Sequence, residues 1–505
     1  MTTPPVHQPS STRRQRLLIT GTMMLATLLH VIDATIANVA LPHMQGTLLA
    51  TQDQISWVLT SYIVCSAILT PLAGWLADRL GRRRLLIVAV VGFTITSMLC
   101  GAAATLEQMV IFRALQGAFG ATLVPLSQAI LLDTYPVEEH SYIMSLWGVA
   151  VMVGPIMGPT LGGWLTEELT WRWVFYINLP VGLLCLFGVL TLIHDLGPRR
   201  GRPFDLTGFA LLAIALGSAQ LMLDRGALND WFQSVEIVTE AVVAGVALMM
   251  FLIHATTTHH PFLDLRLFED RNVSVGLVFA ALAGLIMIAT AALMPPFLHE
   301  LRGYPLMTVG VILAPRGIGM MISMLIFARI AGRFDARYAV AFGFAVAAYS
   351  IWMMTQFNFD IDVWAVVWSG ALQGFGLGFV WPPLSTIMFA SLHPSQRTEV
   401  ASLNALARNL GGSVGIAALV AILSQNIQIA RSELAPSISM LNPAWTAVVG
   451  SGAQGAATLA LWDNELTRQA AMIAYLNDFH LLMFVVLAAI PLLVLLKPPP
   501  AMARR

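Results

Sequence analysis

The chain has 505 residues, 57% of them hydrophobic and 11% charged, with no net charge. Soluble domains carry about 25% charged residues, so the polar material is too sparse to cover a water-facing surface, and lipid must solvate much of the chain. The charge balance gives no case for nucleic acid as a partner. The three cysteines (Cys65, Cys100 and Cys185) are too few and too scattered for a disulfide framework or a metal site.

A spanning helix needs about 20 mostly apolar residues, because about 1.5 Å per residue must cross about 30 Å of hydrocarbon. That rule predicts fourteen helices, at 17–41, 55–77, 85–104, 108–131, 141–164, 173–194, 206–224, 234–254, 273–297, 306–328, 338–356, 363–387, 401–423 and 478–496. The first follows a polar, basic stretch and is too long for a signal-peptide core, so it is expected to stay as a span. An even count puts both termini on one side. Of the 27 Lys and Arg residues, 19 fall on that side and five in the opposite loops. The other three, Arg113, Arg316 and Arg408, fall within spans. Basic residues gather in cytoplasmic loops, so both termini are expected in the cytoplasm.

Ala114-Leu115-Gln116-Gly117 in the fourth span recurs as Ala371-Leu372-Gln373-Gly374 in the twelfth, 257 residues later. Asp78, after the second span, has a counterpart in Asp335, after the tenth, at the same offset of 257. Spans nine to fourteen therefore repeat spans one to six, with spans seven and eight inserted. The expected organisation is a six-helix bundle over 1–195, two inserted helices over 196–272 and a second bundle over 273–505. A long outer loop is expected at about 424–475.

In chain order, the first chemical feature is in span one. Asp33 stands in its outer half, and Arg113 stands at similar depth in span four, so an ion pair is feasible. An ionisable residue in a span costs about 2.5–3.5 kcal/mol on insertion scales and is a functional candidate by default. Apolar surroundings and a nearby arginine act in opposite directions on a carboxylate, so such a site can change protonation when its partner moves. A purely structural pair is the alternative. His30, one turn before Asp33, either modulates it or packs.

The loop after span two reads Gly74-Trp75-Leu76-Ala77-Asp78-Arg79-Leu80-Gly81-Arg82-Arg83-Arg84. Gly81 permits a tight turn, and Asp78 can accept hydrogen bonds from a helix N-terminus or an arginine. In span five, Gly154, Gly158 and Gly162 fall on one helix face and allow close helix approach. Pro155 and Pro159 remove backbone donors there. Either plain packing or a rocking interface would use that face.

These strings carry a resemblance. The 74–84 loop is similar to the signature loop of the major facilitator superfamily, which implies a conformational latch formed by Gly74, Asp78, Arg79, Gly81 and Arg82. The Asp33–Pro42 segment and Arg113-Ala114-Leu115-Gln116-Gly117 resemble motifs of its fourteen-span drug:proton antiporters of the EmrB/QacA type, which implies proton coupling through Asp33 and Arg113. Gly154, Pro155, Gly158, Pro159, Gly162 and Gly163 match the antiporter helix motif, with Ser145 in place of its upstream glycine. Trp171–Pro180 and the segment from Leu221 to Phe232 resemble the same branch. The resemblance covers spans one to seven well and the second half more loosely.

The fold implied is an all-α polytopic membrane protein with the major facilitator fold: two six-helix bundles plus two inserted helices. The function implied is export of small hydrophobic substrates across the bacterial inner membrane by alternating access, driven by the proton motive force with no cofactor and no metal. His30, Asn38, Gln116, Gln128, Arg316 and Gln373 are expected to line the substrate cavity. A periplasmic adaptor (EmrA-like) with an outer-membrane channel is an expected partner for the long outer loop, and membrane lipid surrounds the rest. Alternatives are export of one metabolite (a siderophore or fatty acid) and proton-linked import. An intramembrane enzyme or receptor is a further class. No phosphate-binding G-x-x-x-x-G-K-[ST] string and no H-E-x-x-H or G-x-S-x-G string supports ATP use or catalysis.

Overall fold

The computed structural model describes residues 12–193, 203–331, 333–437 and 456–497. Thirteen helices among these residues are long and apolar enough to cross a membrane, and one bent pair supplies a fourteenth span. The first half comprises α1 (Arg13–Thr47), α2 (Gln52–Leu69), α3 (Leu72–Leu80), α4 (Arg82–Ala102), α5 (Leu106–Gly120) and α6 (Leu123–Thr134). It continues with α7 (His140–Glu168), α8 (Trp173–Tyr176) and α9 (Asn178–Leu192). The inserted pair is α10 (Leu206–Arg225) and α11 (Val235–Thr257). The second half holds α12 (Arg271–Pro296), α13 (Leu306–Ile330), α14 (Ala336–Met354), α15 (Val363–Gly378), α16 (Trp381–Phe389), α17 (Arg397–Leu434) and α18 (Ala456–Leu492).

Local chemistry places the boundaries. Thr12 and Thr51 each form a capping box, with Gln15 and Gln54 respectively, and so satisfy the first backbone donors of α1 and α2. Asp205, Asp270, Asp335 and Asp362 cap α10, α12, α14 and α15 in the same sense. The second span breaks at Thr70-Pro71, where proline removes a donor, and α2 and α3 meet at 60°. Gly81 separates α3 from α4 with φ 83°, a conformation that glycine adopts without steric cost.

Helix packing follows the repeat. In the first half α1 packs on α7 and α2 on α5; in the second half α12 packs on α17 and α13 on α15. Glycines of the span-five face sit against α1: a Cβ on Gly154 would lie 2.4 Å from Val31 Cγ1, and one on Gly158 would lie 2.2 Å from Thr35 Oγ1. Gly411 and Gly415, each 257 residues further on, sit close against α12, where a Cβ would lie 2.2 Å from the Ala281 carbonyl oxygen and 2.8 Å from Leu285 Cγ respectively. The inserted helices pack on each other, and α10 reaches both α2 and α17. Most of α11 faces outward, with Val242, Val246, Met249 and Ile253 exposed as lipid-facing residues are.

Within the long loop expected at about 424–475, the described residues are helical. The 38 residues of α17 and the 37 of α18 exceed the number needed to cross the hydrocarbon. Their facing ends are polar, and the Arg431–Asp463 ion pair (2.5 Å) ties them together. Residues 438–455 lie outside the described residues, as do Arg199, Arg200 and Arg202.

Candidate functional site

The charges in spans one and four meet. Arg113 Nη1 donates to Asp33 Oδ2 at 2.6 Å, and both side chains have zero exposure. Asp33 Oδ1 accepts from Gln116 Nε2 and from Asn178 Nδ2, each at 2.8 Å. Gln116 lies three residues after Arg113 on α5, so one helix face presents both, and Arg113 Nη1 also donates to Gln116 Oε1 at 2.8 Å. Asn178 opens α9 and is held by a second bond to Ser97 Oγ at 2.9 Å. With three donors aimed at it, the carboxyl group at Asp33 is arranged as a carboxylate acceptor.

The guanidinium is fixed from other sides as well. Arg113 Nε donates to the Val58 carbonyl at 3.2 Å, and its Cζ lies 4.1 Å from the centre of the Tyr62 ring. Close approach of α5 and α2 makes this stacking feasible. A Cβ on Gly117 would stand 2.3 Å from the Tyr62 carbonyl oxygen, which explains the glycine that ends the Arg113–Gly117 string. The Tyr62 hydroxyl then pairs with His30 Nδ1 at 2.8 Å. A continuous chain therefore runs from His30 through Tyr62 and Arg113 to Asp33. Arg113 Nη2 is buried without a hydrogen-bond partner, so the guanidinium has spare donor capacity.

The second half keeps this framework without its charges. Thr290 stands 257 residues after Asp33, Gly370 after Arg113 and Gln373 after Gln116. Gln373 Nε2 donates to Thr290 Oγ1 at 3.1 Å, the counterpart of the Gln116–Asp33 bond. Its Oε1 has no partner, as expected where the arginine has become glycine.

A second cluster joins the halves on the arginine-rich face. Asp133, at the end of α6, accepts from Arg82 and, at 2.7 Å, from Arg397 Nη1 at the start of α17. Arg82 also reaches the Pro394 carbonyl at 2.9 Å, and Arg397 the Leu132 carbonyl at 2.9 Å. Ser141 donates to Thr386 at 3.2 Å across the same interface. Gly74 brings α3 close to α17, where its Cβ would lie 3.1 Å from that of Glu399. Asp78 and Glu399 line one cleft there, and Arg79 lies 5.5 Å from the Trp75 ring centre. In this state the two halves are closed against each other on this face.

Other expected residues fall elsewhere. Gln128 is buried against Met144 between spans four and five, and Gln116 and Gln373 are buried in helix contacts, so none of the three lies on an open cavity wall. Asn38 is exposed, five residues beyond Asp33. Arg316 donates to the Met287 carbonyl at 2.6 Å. Arg408 stands on α17. It lies 4.5 Å from the Trp381 ring centre, where stacking holds it inside the second half. His30, partly buried, pairs with Tyr62 within the first half. Asp224 accepts from Thr60, and Arg225 bonds Glu236 at 2.8 Å. Gly163 faces open space, and the side chain of Pro159 lies outside the described residues.

Comparison with known proteins decides the family. The family model of the Major Facilitator Superfamily matches residues 23–416. The chain belongs to this superfamily. Within it, the chain is 34% identical over 491 residues to the multidrug export protein EmrB of Escherichia coli K12, covering 96% of each chain. It is 34% identical over 489 residues to the fatty acid resistance protein FarB of Neisseria gonorrhoeae, covering 95% of this chain and 96% of that one. The EmrB of Haemophilus influenzae is 36% identical over 432 residues, which is 85% of this chain and 84% of that one. Among solved structures, the human organic anion transporter MFSD10 superposes with a TM-score of 0.60 at 15% identity, covering 95% of this chain and 100% of that chain. At that identity the likeness concerns the fold alone. This superfamily member is thus a multi-pass membrane transporter rather than an enzyme.

The residues missing from the sequence-based expectation are Tyr62, Asn178, Asp133 and Arg397. Asn178 stands inside the aromatic-rich Trp171–Pro180 string, a polar residue where the next span begins, and that was its available signal. Asp133 lies two residues past the expected end of span four.

Proposed function

We propose that this chain is a proton-coupled antiporter of the bacterial cytoplasmic membrane, with both termini cytoplasmic, that exports hydrophobic drugs or toxic compounds by alternating access. The observation that carries the reading is the Asp33–Arg113 pair, fully enclosed and bonded to α5 and α9 at once. Inward-moving protons would neutralise Asp33, release Arg113 from it, and so free α1 to shift against α5. Removing a charge from a bonded buried pair is a large local change, large enough to bias two conformations.

In this reading Gly74, Asp78, Arg79, Gly81 and Arg82 form the latch of the cytoplasmic face, with Asp133 and Arg397 as its counterpart. Gly154, Gly158 and Gly162 serve as the surface on which α7 and α1 rock. The compounds exported would come from the cytoplasm or inner leaflet, as the multidrug export names of the relatives suggest. FarB favours fatty acids as a second reading. Arg316 and Arg408, which have no carboxylate partner among the described residues, support it because they could meet an anionic headgroup. The outer ends of α17 and α18 are the surface we assign to a periplasmic adaptor.

Protons released on adding a transported dye to the purified protein test the reading directly. Antiport predicts release, and a receptor or enzyme predicts none. Asp33→Asn is expected to abolish dye efflux driven by a proton gradient in vesicles, and normal efflux by that variant would remove the coupling assignment.

A further inference from the structure

Asp33 and Asp133 have partners for their oxygens; Asp478 has none. It sits on α18 with zero exposure, and neither carboxyl oxygen has a hydrogen-bond partner. Its neighbours on the helix, Tyr475 and Phe479, belong to an aromatic layer. Tyr475 lies 5.4 Å from Phe297, and Phe479 lies 6.2 Å from both Phe297 and Phe357. That layer ties α18 to the outer ends of α12 and α14.

The titratable groups around it are few. Tyr475 lies on the same helix, in the field of both Asp478 and Glu300. Glu300 is exposed on the π-turn Phe297–Leu301, which follows α12. On α14 the outer end offers Tyr349, whose ring is exposed, and the facing stretch of α17 from Gly411 to Ser424 carries no titratable group. A carboxylate here would have neither a donor nor a cation, so the form that these surroundings accommodate is the neutral acid. The π-turn beside it is a deformable element of a kind frequent at functional sites.

We propose that Asp478 is a second proton-binding carboxyl, occupied by a proton in this state and ionised in the state in which the arginine-rich face opens. An O–H bond forms at Asp478 with a proton taken from water on the face of Glu300. It breaks when the arginine-rich face opens, and the proton passes to water on that face. The transport role rests on the antiport reading above, whereas the protonation itself does not.

Infrared spectra of the full chain in lipid nanodiscs give the first test. The parent is expected to show the C=O stretch of a protonated carboxyl that is lost in Asp478→Asn and shifted in Asp478→Glu. If that difference band is missing, the proposal is overturned whatever drives transport. The second test sets an ethidium gradient against a proton gradient in proteoliposomes. Asp478→Asn is expected to move one proton fewer per ethidium than the parent, and an unchanged ratio overturns the role in coupling. Should the asparagine variant fail to fold, Asp478→Glu is measured in its place, with the parent's ratio expected to be kept and its pH dependence displaced; an undisplaced profile overturns the role. A parent that ignores the proton gradient refutes antiport alone and leaves the infrared result standing.

Discussion

The Asp33–Arg113 pair allows a quantitative test in a double-mutant cycle. In Asp33→Asn, the new side chain has one acceptor oxygen and one amide where three donors converge, from Arg113, Gln116 and Asn178. Arg113 keeps its bond to the Val58 carbonyl and its place over Tyr62, but loses its carboxylate partner at zero exposure. Breaking a buried pair from one side costs about 3–5 kcal/mol, so Asp33→Asn and Arg113→Met should each destabilise by that order. The double variant leaves no uncompensated charge, and its cost should fall short of the sum of the singles by about 2–3 kcal/mol. Unfolding by steric trapping in nanodiscs measures all three. Costs that add within about 0.5 kcal/mol would refute the argument that the two groups depend on each other. Efflux separates stability from coupling. The double variant should fold better than either single and still move no dye under a proton gradient, and recovered efflux would show that the pair is structural.

Three further outcomes follow from the geometry. Asp133→Asn removes the shared acceptor of Arg82 and Arg397, groups only 11–15% exposed, and should shift the closed face toward opening by about 2 kcal/mol, or roughly thirtyfold. A cysteine placed at Thr386 should then react faster with an impermeant maleimide, and an unchanged rate counts against the latch. Gly154→Ala should cost about 1–3 kcal/mol by overpacking against Val31, whereas Gly163→Ala, with no atom within 4 Å of its Cβ, should stay within about 0.5 kcal/mol; equal thermal shifts would sink the close-packing account. Asp205 is the pH probe. Burial pushes its carboxyl up, but the backbone N–H of Gly208, the His254 ring and the Phe262 N–H outweigh burial and hold it below its ordinary 3.8. A depressed folded value means that its stabilisation is complete above 3.8 and is lost as pH falls through the lower folded value. Protection from hydrogen exchange at the start of α10 should fall only in that acid range in the parent, and Asp205→Ala should lack that protection throughout.

What could be read in the residues, and what could not, divides along physical lines. Hydropathy reveals fourteen spans because the requirement for apolar length is strict, and the one bent span still counts as one. Asp33 and Arg113 stand out because charges in spans are rare. Tyr62 and Asn178 do not, because neutral polar residues inside helices carry no such penalty and only packing shows which of them faces the pair. Asp478 was hidden by boundary placement, since a span expected to begin at 478 puts its first residue at the membrane surface. The helical extensions of α17 and α18 were hidden too, because a hydropathy rule stops where polar residues begin although the helix does not. Asp133 joins residues 82 and 397 across 315 positions of chain, a relation that no local pattern encodes.

The repeat supplies an internal control for the charged site. Both halves keep a buried glutamine on the fourth helix of the bundle that donates to the first, at Asp33 in one and at Thr290 in the other. Both halves keep the glycine face that seats the fifth helix on the first, and both bundles close around it. The second half does this with threonine and glycine where the first has Asp33 and Arg113, so the packing of such a bundle does not need the ion pair. A pair that costs desolvation, and that the neighbouring copy of the same scaffold does without, is poorly explained by stability alone. Function is then the better reason for its presence in the first half, and restoring the neutral pattern there, with Asp33→Thr and Arg113→Gly together, should leave a folded protein that no longer responds to a proton gradient.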